Sequence, residues 1–196
     1  NKTELTDAKQ ALDDQTKEVD PTTGKTTSTK AAYEAAKRAA QEEVKAAAIV
    51  IANEDATTKE VAEALAKVNA KKTALEAAKK ALADKVTEEQ KAALGNVETD
   101  LAVLGENDLE GKTPTSKQAY TAEVEKIKTA IEEVKREAKD LVANADDRTQ
   151  ESAKLVQAKI EGLKAKLEAA KAGLVEKANK TELTDAKQAL DDQTKE

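Results

Sequence analysis

Asn1-Lys2-Thr3-Glu4-Leu5-Thr6-Asp7-Ala8-Lys9-Gln10-Ala11-Leu12-Asp13-Asp14-Gln15-Thr16-Lys17-Glu18 opens the chain, and the same 18 residues return without a mismatch as Asn179–Glu196. Convergent helix composition produces similarity, not identity, so the two copies are a duplication. Corresponding residues stand 178 apart, and the chain reads as one period of a tandem array plus the start of the next copy. An older repeat lies inside the period. Gly24-Lys25-Thr26-Thr27-Ser28-Thr29-Lys30-Ala31-Ala32-Tyr33 reappears as Gly111-Lys112-Thr113-Pro114-Thr115-Ser116-Lys117-Gln118-Ala119-Tyr120, and the only two tyrosines coincide at an offset of 87. Leu75-Glu76-Ala77-Ala78-Lys79 returns as Leu167-Glu168-Ala169-Ala170-Lys171 at an offset of 92, so the second module is a few residues longer. Two related modules, 1–86 and 87–178, make one period, and 179–196 is the first helix of the next. At their boundary Thr87-Glu88-Glu89-Gln90 reads either as a capping box that opens a new helix or as a register change within a continuous one.

Composition fixes the class. Charged residues make up 37% and hydrophobic ones 39%, with no Phe, Trp, Met, Cys or His. Alanine, lysine, glutamate and leucine dominate, which are the strongest helix formers. Without large aromatics the core must be thin, which suits narrow bundles better than a globule. A net charge of −6 with interspersed Lys and Glu argues against nucleic acid, whose binding proteins need a basic face. No apolar run approaches membrane-spanning length. The absence of cysteine removes disulfides and thiolate metal sites, which fits a protein built for an oxidising exterior and many cytosolic proteins equally.

Helical spacing organises each module. Leu5, Ala8 and Leu12 mark a first helix that Val19-Asp20-Pro21-Thr22-Thr23-Gly24 stops. Ser28 or Thr29 caps a second, with a stripe of Tyr33, Ala36, Ala40, Val44, Ala47 and Ile51, broken at Asn53-Glu54-Asp55-Ala56-Thr57. A third, from about Thr58, carries Val61, Leu65, Val68, Leu75, Leu82 and Val86. The second module repeats the plan. Leu94, Val97, Leu101 and Leu104 form its first stripe, ending at Gly105. Tyr120, Val124, Ile127, Ile131, Val134, Ala138 and Leu141 alternate steps of 4 and 3 on its middle helix, before the break at Asn144-Ala145-Asp146-Asp147. Val156, Ile160, Leu163, Leu167, Ala170 and Leu174 follow on its third. The fold expected is all-α: two tandem, spectrin-like three-helix bundles with left-handed coiled packing. After Gly173 there is neither Pro nor Gly, so the third helix can run on through Ala178-Asn179-Lys180 into the next copy, and the two bundles are expected to be joined by a continuous or near-continuous shared helix. Leu174 and Leu183, nine residues apart, would then face opposite sides of one shared helix. With a rise of about 1.5 Å per residue, the expected rod measures roughly 40 Å per module and roughly 80 Å per period.

Tyr33 on the middle helix, Asn53-Glu54-Asp55-Ala56-Thr57 followed by Glu60-Val61 and Ala64-Leu65, and the closing Leu75-Glu76-Ala77-Ala78-Lys79 resemble the FIVAR-type modules of Gram-positive cell-wall-anchored proteins, long arrays of which occur in extracellular-matrix-binding proteins of staphylococci. The likeness covers most of the first module. In the second, Asn144-Ala145-Asp146-Asp147-Arg148-Thr149 keeps the break but loses the Ala-Thr pair and the Glu-Val after it. The resemblance implies a helical rod on the outside of a bacterial cell, anchored through other parts of the protein, with fibronectin or other host-matrix binding in some members and no catalytic residues; the chain is expected to be a monomer.

Candidate chemistry is sparse. Gly24-Lys25-Thr26 and Gly111-Lys112-Thr113 have the tail of a phosphate-binding loop, yet Val19 and Glu106 occupy the required earlier glycine, and no strand precedes either. Helix-to-helix turns account for them better. Gly24, Lys25, Gly111 and Lys112 remain candidate ligand-contact positions. Asp146-Asp147 and Glu106-Asn107-Asp108 lack the alternating ligands and closing Glu of a calcium loop. Asp13-Asp14 sits near a helix end without a cleft. Asn1-Lys2-Thr3 and Asn179-Lys180-Thr181 match the glycosylation acceptor pattern, which matters only in a secretory eukaryotic host. No enzyme activity and no cofactor are expected. Three functions fit: a stalk whose partners are neighbouring copies of the repeat in cis, a low-affinity adhesin that gains avidity from copy number, and a lipid-surface helix, which the acidic charge and missing Trp and Phe disfavour.

Overall fold

The computed structural model describes residues 2–195, so Asn1 of the first Asn-Lys-Thr pattern and Glu196 lie outside the described residues. Among the described residues the α-helices are α1 (Thr3–Thr16), α2 (Thr27–Ala52), α3 (Thr58–Lys80), α4 (Glu88–Gly95), α5 (Val97–Asp100), α6 (Pro114–Ala143), α7 (Gln150–Ala172) and α8 (Thr181–Gln193), with 3-10 turns at Asn107–Leu109 and Ala145–Asp147 and no strand. The chain is all-α, as its composition requires. It forms two compact units, Asn1–Leu94 with Lys139–Leu155, and Gly95–Ala138 with Val156–Glu196. The Val86–Thr87 boundary read from the repeat lies inside the first unit.

In the first unit α1, α2 and α3 pack pairwise on one another. Their core is Leu5 and Leu12 from α1, Tyr33, Ala40 and Ala47 from α2, and Ala64, Val68 and Leu75 from α3. Leu5 and Leu12, Tyr33, Ala40 and Ala47, and Val68 and Leu75 each recur at seven-residue steps, the spacing of a coiled seam. Short alanine side chains on α2 leave room for the leucines of α1, each worth about 1.5–3 kcal/mol when removed from water. Val44, Ile51, Leu65 and Leu82 pack at the margin of this core and are only half-buried. At those places the larger side chains flank a seam that the alanines line.

Local chemistry sets the helix ends. Thr57 and Glu60 form a capping box at the start of α3, with Glu60 N donating to Thr57 Oγ1 and Thr57 N donating to Glu60 Oε2. At the other side of the same turn, Lys2 Nζ donates to the carbonyls of Ile51 and Asn53, two acceptors that α2 leaves without helical partners. The N-cap of α2 is Thr26, two to three residues ahead of the expected Ser28 or Thr29.

In the second unit the inward faces of α6 and α7 are the expected stripes: Tyr120, Ile127, Ile131, Ile160 and Leu167 are buried, as is Leu101 after α5. Lys135–Glu98, Lys164–Asp100 and Lys159–Glu137 ion pairs tie α5, α6 and α7 together at the surface. Leu141, near the end of α6, is buried within the first unit's share of the chain.

Three expectations need correction. The first stripe of the second module is buried at Leu94, Val97 and Leu101, but its helix is not continuous: α4 ends at Gly95, α5 restarts at Val97, and 101–104 is non-helical. Gly95-Asn96 is a weak helical dipeptide, and burial of the stripe does not require an unbroken helix. The shared helix is also absent. α7 stops at Ala172, Gly173 turns, Leu174 is only half-buried, and 174–180 is non-helical before α8 begins at Thr181. The backbone there has partners outside any helix, since Thr113 N donates to Val175 O at 2.7 Å and Lys177 N to Gly111 O at 2.8 Å. The third helix is likewise shorter than its expected stripe, since α3 ends at Lys80 and leaves Leu82 and Val86 beyond it; at the module boundary, of the two readings of Thr87-Glu88-Glu89-Gln90 the new helix holds, with Gln90 N donating to Thr87 Oγ1 and Thr87 N to Gln90 Oε1.

The duplicated segment occupies two different settings. In α1, Leu5 and Leu12 are 0% exposed; in α8, the identical Leu183 and Leu190 are 70% and 61% exposed.

Candidate functional site: the glycine turns and their bridges

Each Gly-Lys-Thr segment builds the same device. At the first, Lys25 N donates to Thr22 O across a tight turn whose third residue, Gly24, has φ of +73°. Nothing lies within 4 Å of the place a Cβ would take, so glycine is there for its backbone conformation rather than for space. Beyond the turn, Lys25 pairs with Asp84 as an isolated antiparallel bridge. Thr26 N donates to Ala83 O at 2.8 Å, Lys85 N to Gly24 O at 3.0 Å, and Lys25 Nζ lies 2.7 Å from Asp84 Oδ1. Thr22 and Thr26 are buried beneath the turn; Thr22 bonds Asp20 Oδ1 through both its N–H and its hydroxyl, which hold the Asp20 carboxyl below the ordinary carboxylate range.

At the second, Lys112 N donates to Leu109 O, Gly111 has φ of +81°, and Lys112 pairs with Glu176. Lys112 Nζ forms an ion pair with the Glu176 carboxylate, and Ser116 Oγ accepts from Val175 N. An acid opposite a lysine recurs at both bridges.

The two devices differ on their far side. Within the first unit, the segment Asp84–Val86 also pairs along its other edge: Lys85 bridges Thr149, Val86 N donates to Arg148 O and Gln150 N to Asp84 O, both at 2.9 Å. Lys85 Nζ is 2.7 Å from Asp146 Oδ1, and Ser28 N donates to Asp147 Oδ1. The hydrogen bond and charge of Lys85 hold the Asp146 carboxyl below the ordinary range, hydrogen bonding from Ser28 does the same for Asp147, and Asp146 in turn raises Lys85. Val86 is buried there. At the second device, Ala178, which follows the bridge as Val86 does, is exposed.

The residues singled out in the sequence therefore have internal work. Lys25 and Lys112 direct their ammonium groups to Asp84 and Glu176. Asp13 pairs with Lys17, Asp14 accepts from Gln10, and Asp108 Oδ2 accepts from Gly105 N. Tyr33 fills the first core, and burial raises its phenol above the usual value. Tyr120 accepts from Leu104 N through its hydroxyl at 3.0 Å, standing in for the helical bond that 101–104 lacks. Among the described residues no group of three or more His, Cys, Asp or Glu could hold a metal ion, and no helix is long and apolar enough to cross a membrane. The bridges themselves escaped sequence reasoning. The signal was an acid-lysine dipeptide, Asp84-Lys85 or Glu176-Lys177, about 60 residues after each Gly-Lys-Thr turn.

No protein family, curated protein or solved structure matches the chain.

Proposed function

We propose that the chain is a repeat of the stalk of a bacterial surface protein, a row of spectrin-like three-helix bundles of FIVAR type that holds an adhesive domain away from the cell wall. The observation that carries this reading is the 18-residue duplication, whose leucines are core in one setting and bare in the other. A segment whose apolar face is filled only when its own α2 and α3 follow is what a tandem array supplies. The joined packing of α1, α2 and α3 supports the bundle, and the repetition of one turn-and-bridge device in both modules supports a string of equivalent units. The repeats act as spacers rather than as the adhesin, because Lys25 and Lys112 are already engaged in ion pairs within the fold. The stalk lies outside the cell, touches its own neighbouring copies in cis, and works as a monomer without a cofactor.

Small-angle scattering of chains with one, two and four periods tests this. The maximum dimension is expected to grow by a constant increment of roughly 80 Å per period. Growth with the cube root of mass would overturn the stalk, and saturable binding of the one-period chain to immobilised fibronectin would make the repeats the adhesin.

A further inference from the structure

Two surfaces are left bare in places where their counterparts are covered. The segment Asp84–Val86 is hydrogen-bonded along both edges, whereas its counterpart Glu176–Ala178 is bonded along one, and among the described residues the Ala178 N–H makes no hydrogen bond. The α8 face carrying Leu183 and Leu190 is exposed, whereas α1 of identical sequence is sealed by α2 and α3. In the tandem reading the first surface closes one copy and the second opens the next.

We propose that the outer edge of Glu176–Ala178 is a docking surface for the Glu54–Thr58 turn of the next copy of this chain. The inference rests on the tandem reading above. The first device supplies the template. Its covering segment is Asp146–Gln150, the turn before α7, and aligning the two helix caps, Thr149 with Thr57, sets Asp146, Asp147, Arg148 and Gln150 against Glu54, Asp55, Ala56 and Thr58. The chemistry carries over residue by residue. Val86 N to Arg148 O becomes Ala178 N to Ala56 O, and Gln150 N to Asp84 O becomes Thr58 N to Glu176 O. Lys85 with Asp146 becomes Lys177 with Glu54, a lysine facing an acid again. Ser28 N to Asp147 becomes Thr115 N to Asp55. Glu54, Asp55, Thr58 and Lys177 are all exposed in this chain. Two contacts have no successor: Pro114 replaces Thr27, whose hydroxyl donates to Asp146 O, and Glu182 replaces Gln90, whose amide donates to Gln150 O. The same turn also receives Lys2 Nζ on the Ile51 and Asn53 carbonyls, so Lys180 would reach those of the next copy. Docking of the turn and docking of α8 are thereby one event.

The absence of cysteine makes the test direct. In a chain of two periods, Lys177→Cys in the first copy is combined with Thr57→Cys in the second. Lys85 and Thr149, the template pair, lie opposite each other between widely spaced bonds, the arrangement that brings Cα atoms closest and within disulfide reach. Lys85→Cys with Thr149→Cys is the positive control, and Lys177→Cys with Glu42→Cys of the second copy is the off-site control. The proposal expects the 177–57 disulfide to form as readily as the positive control and about tenfold or more faster than the off-site pair. A rate no greater than the off-site pair overturns it. A readout without substitutions uses a two-period chain isotope-labelled only in its first period, in which exchange of the Ala178 amide slows relative to the one-period chain; unchanged exchange contradicts the proposal. The leucines at 183 and 190 separate the failures. If they become buried while the disulfide and the Ala178 amide show nothing, the docking surface alone falls; if they stay exposed, the tandem reading falls with it.

Discussion

Gly24 and Gly111 hold φ of +73° and +81°, the left-handed region in which a Cβ approaches the following carbonyl. Because open space surrounds the missing Cβ of Gly24, Gly24→Ala should cost only the backbone penalty, about 1–2 kcal/mol, read as a lower denaturation midpoint. Gly162, inside α7 and equally unobstructed, should behave in the opposite way, with Gly162→Ala raising stability by about 0.5–1 kcal/mol. Equal effects at the two positions would contradict the assigned backbone roles. Titration has a similar residue-level logic. Hydrogen bonds hold Asp20, Glu60, Asp146 and Asp147 below the ordinary carboxylate range. A depressed folded value means that the unfolded chain takes up protons first. The stabilisation is therefore complete above about pH 5 and is lost as pH falls through the folded values. Lys79 and Lys85 are raised by Glu18 and Asp146, so their contribution is complete below about pH 10 and disappears as pH climbs through the folded values. With no histidine, the urea midpoint should be flat from about pH 5 to about pH 9. A midpoint that moves between pH 6 and 8 would show that other groups control stability.

At the scale of elements, α1 and α8 are one sequence with two fates. Leu5→Ala or Leu12→Ala removes a fully buried side chain and should cost about 2–5 kcal/mol, whereas Leu183→Ala or Leu190→Ala in the same chain should stay within about 0.5 kcal/mol. Comparable losses at both ends, measured by urea unfolding, would mean that α8 has a partner in this chain. Propensity and spacing made α1, α2, α3, α6 and α7 legible in the sequence, along with the breaks at Asn53 and Asn144, because helix formers and caps are local signals. Non-local competition made the rest illegible. No residue between Leu174 and Lys180 forbids a helix; the segment is extended because Gly111 and Thr113, more than 60 residues earlier in the chain, take up its backbone groups. The same holds for Ala83 and Lys85 against Gly24 and Thr26. Which members of the α2 stripe become core was equally hidden. Ala40 and Ala47 are sealed while Val44 and Ile51 are marginal, since a close-packed seam selects small residues and spacing alone does not. Gly24, Lys25, Gly111 and Lys112 were found by repetition, but their bridges to Asp84 and Glu176 were not.

For the whole molecule, the identical segments at the two ends of the period supply an internal control that few proteins offer. Their intrinsic chemistry is the same, so any difference between them belongs to their surroundings. α1 is sealed because α2 and α3 cover it, whereas the identical α8 is exposed; under the tandem proposal α8 is the same element without that cover. Residue-resolved hydrogen exchange by NMR on the 196-residue chain measures this most directly, at Lys9–Leu12 and at Lys187–Leu190. The predicted result is protection of the first set about 1,000-fold or more above the second, which should exchange within about tenfold of an unfolded chain. Equal protection of the two sets would contradict the account, because the helix would then owe its stability to its own sequence and not to the helices packed on it.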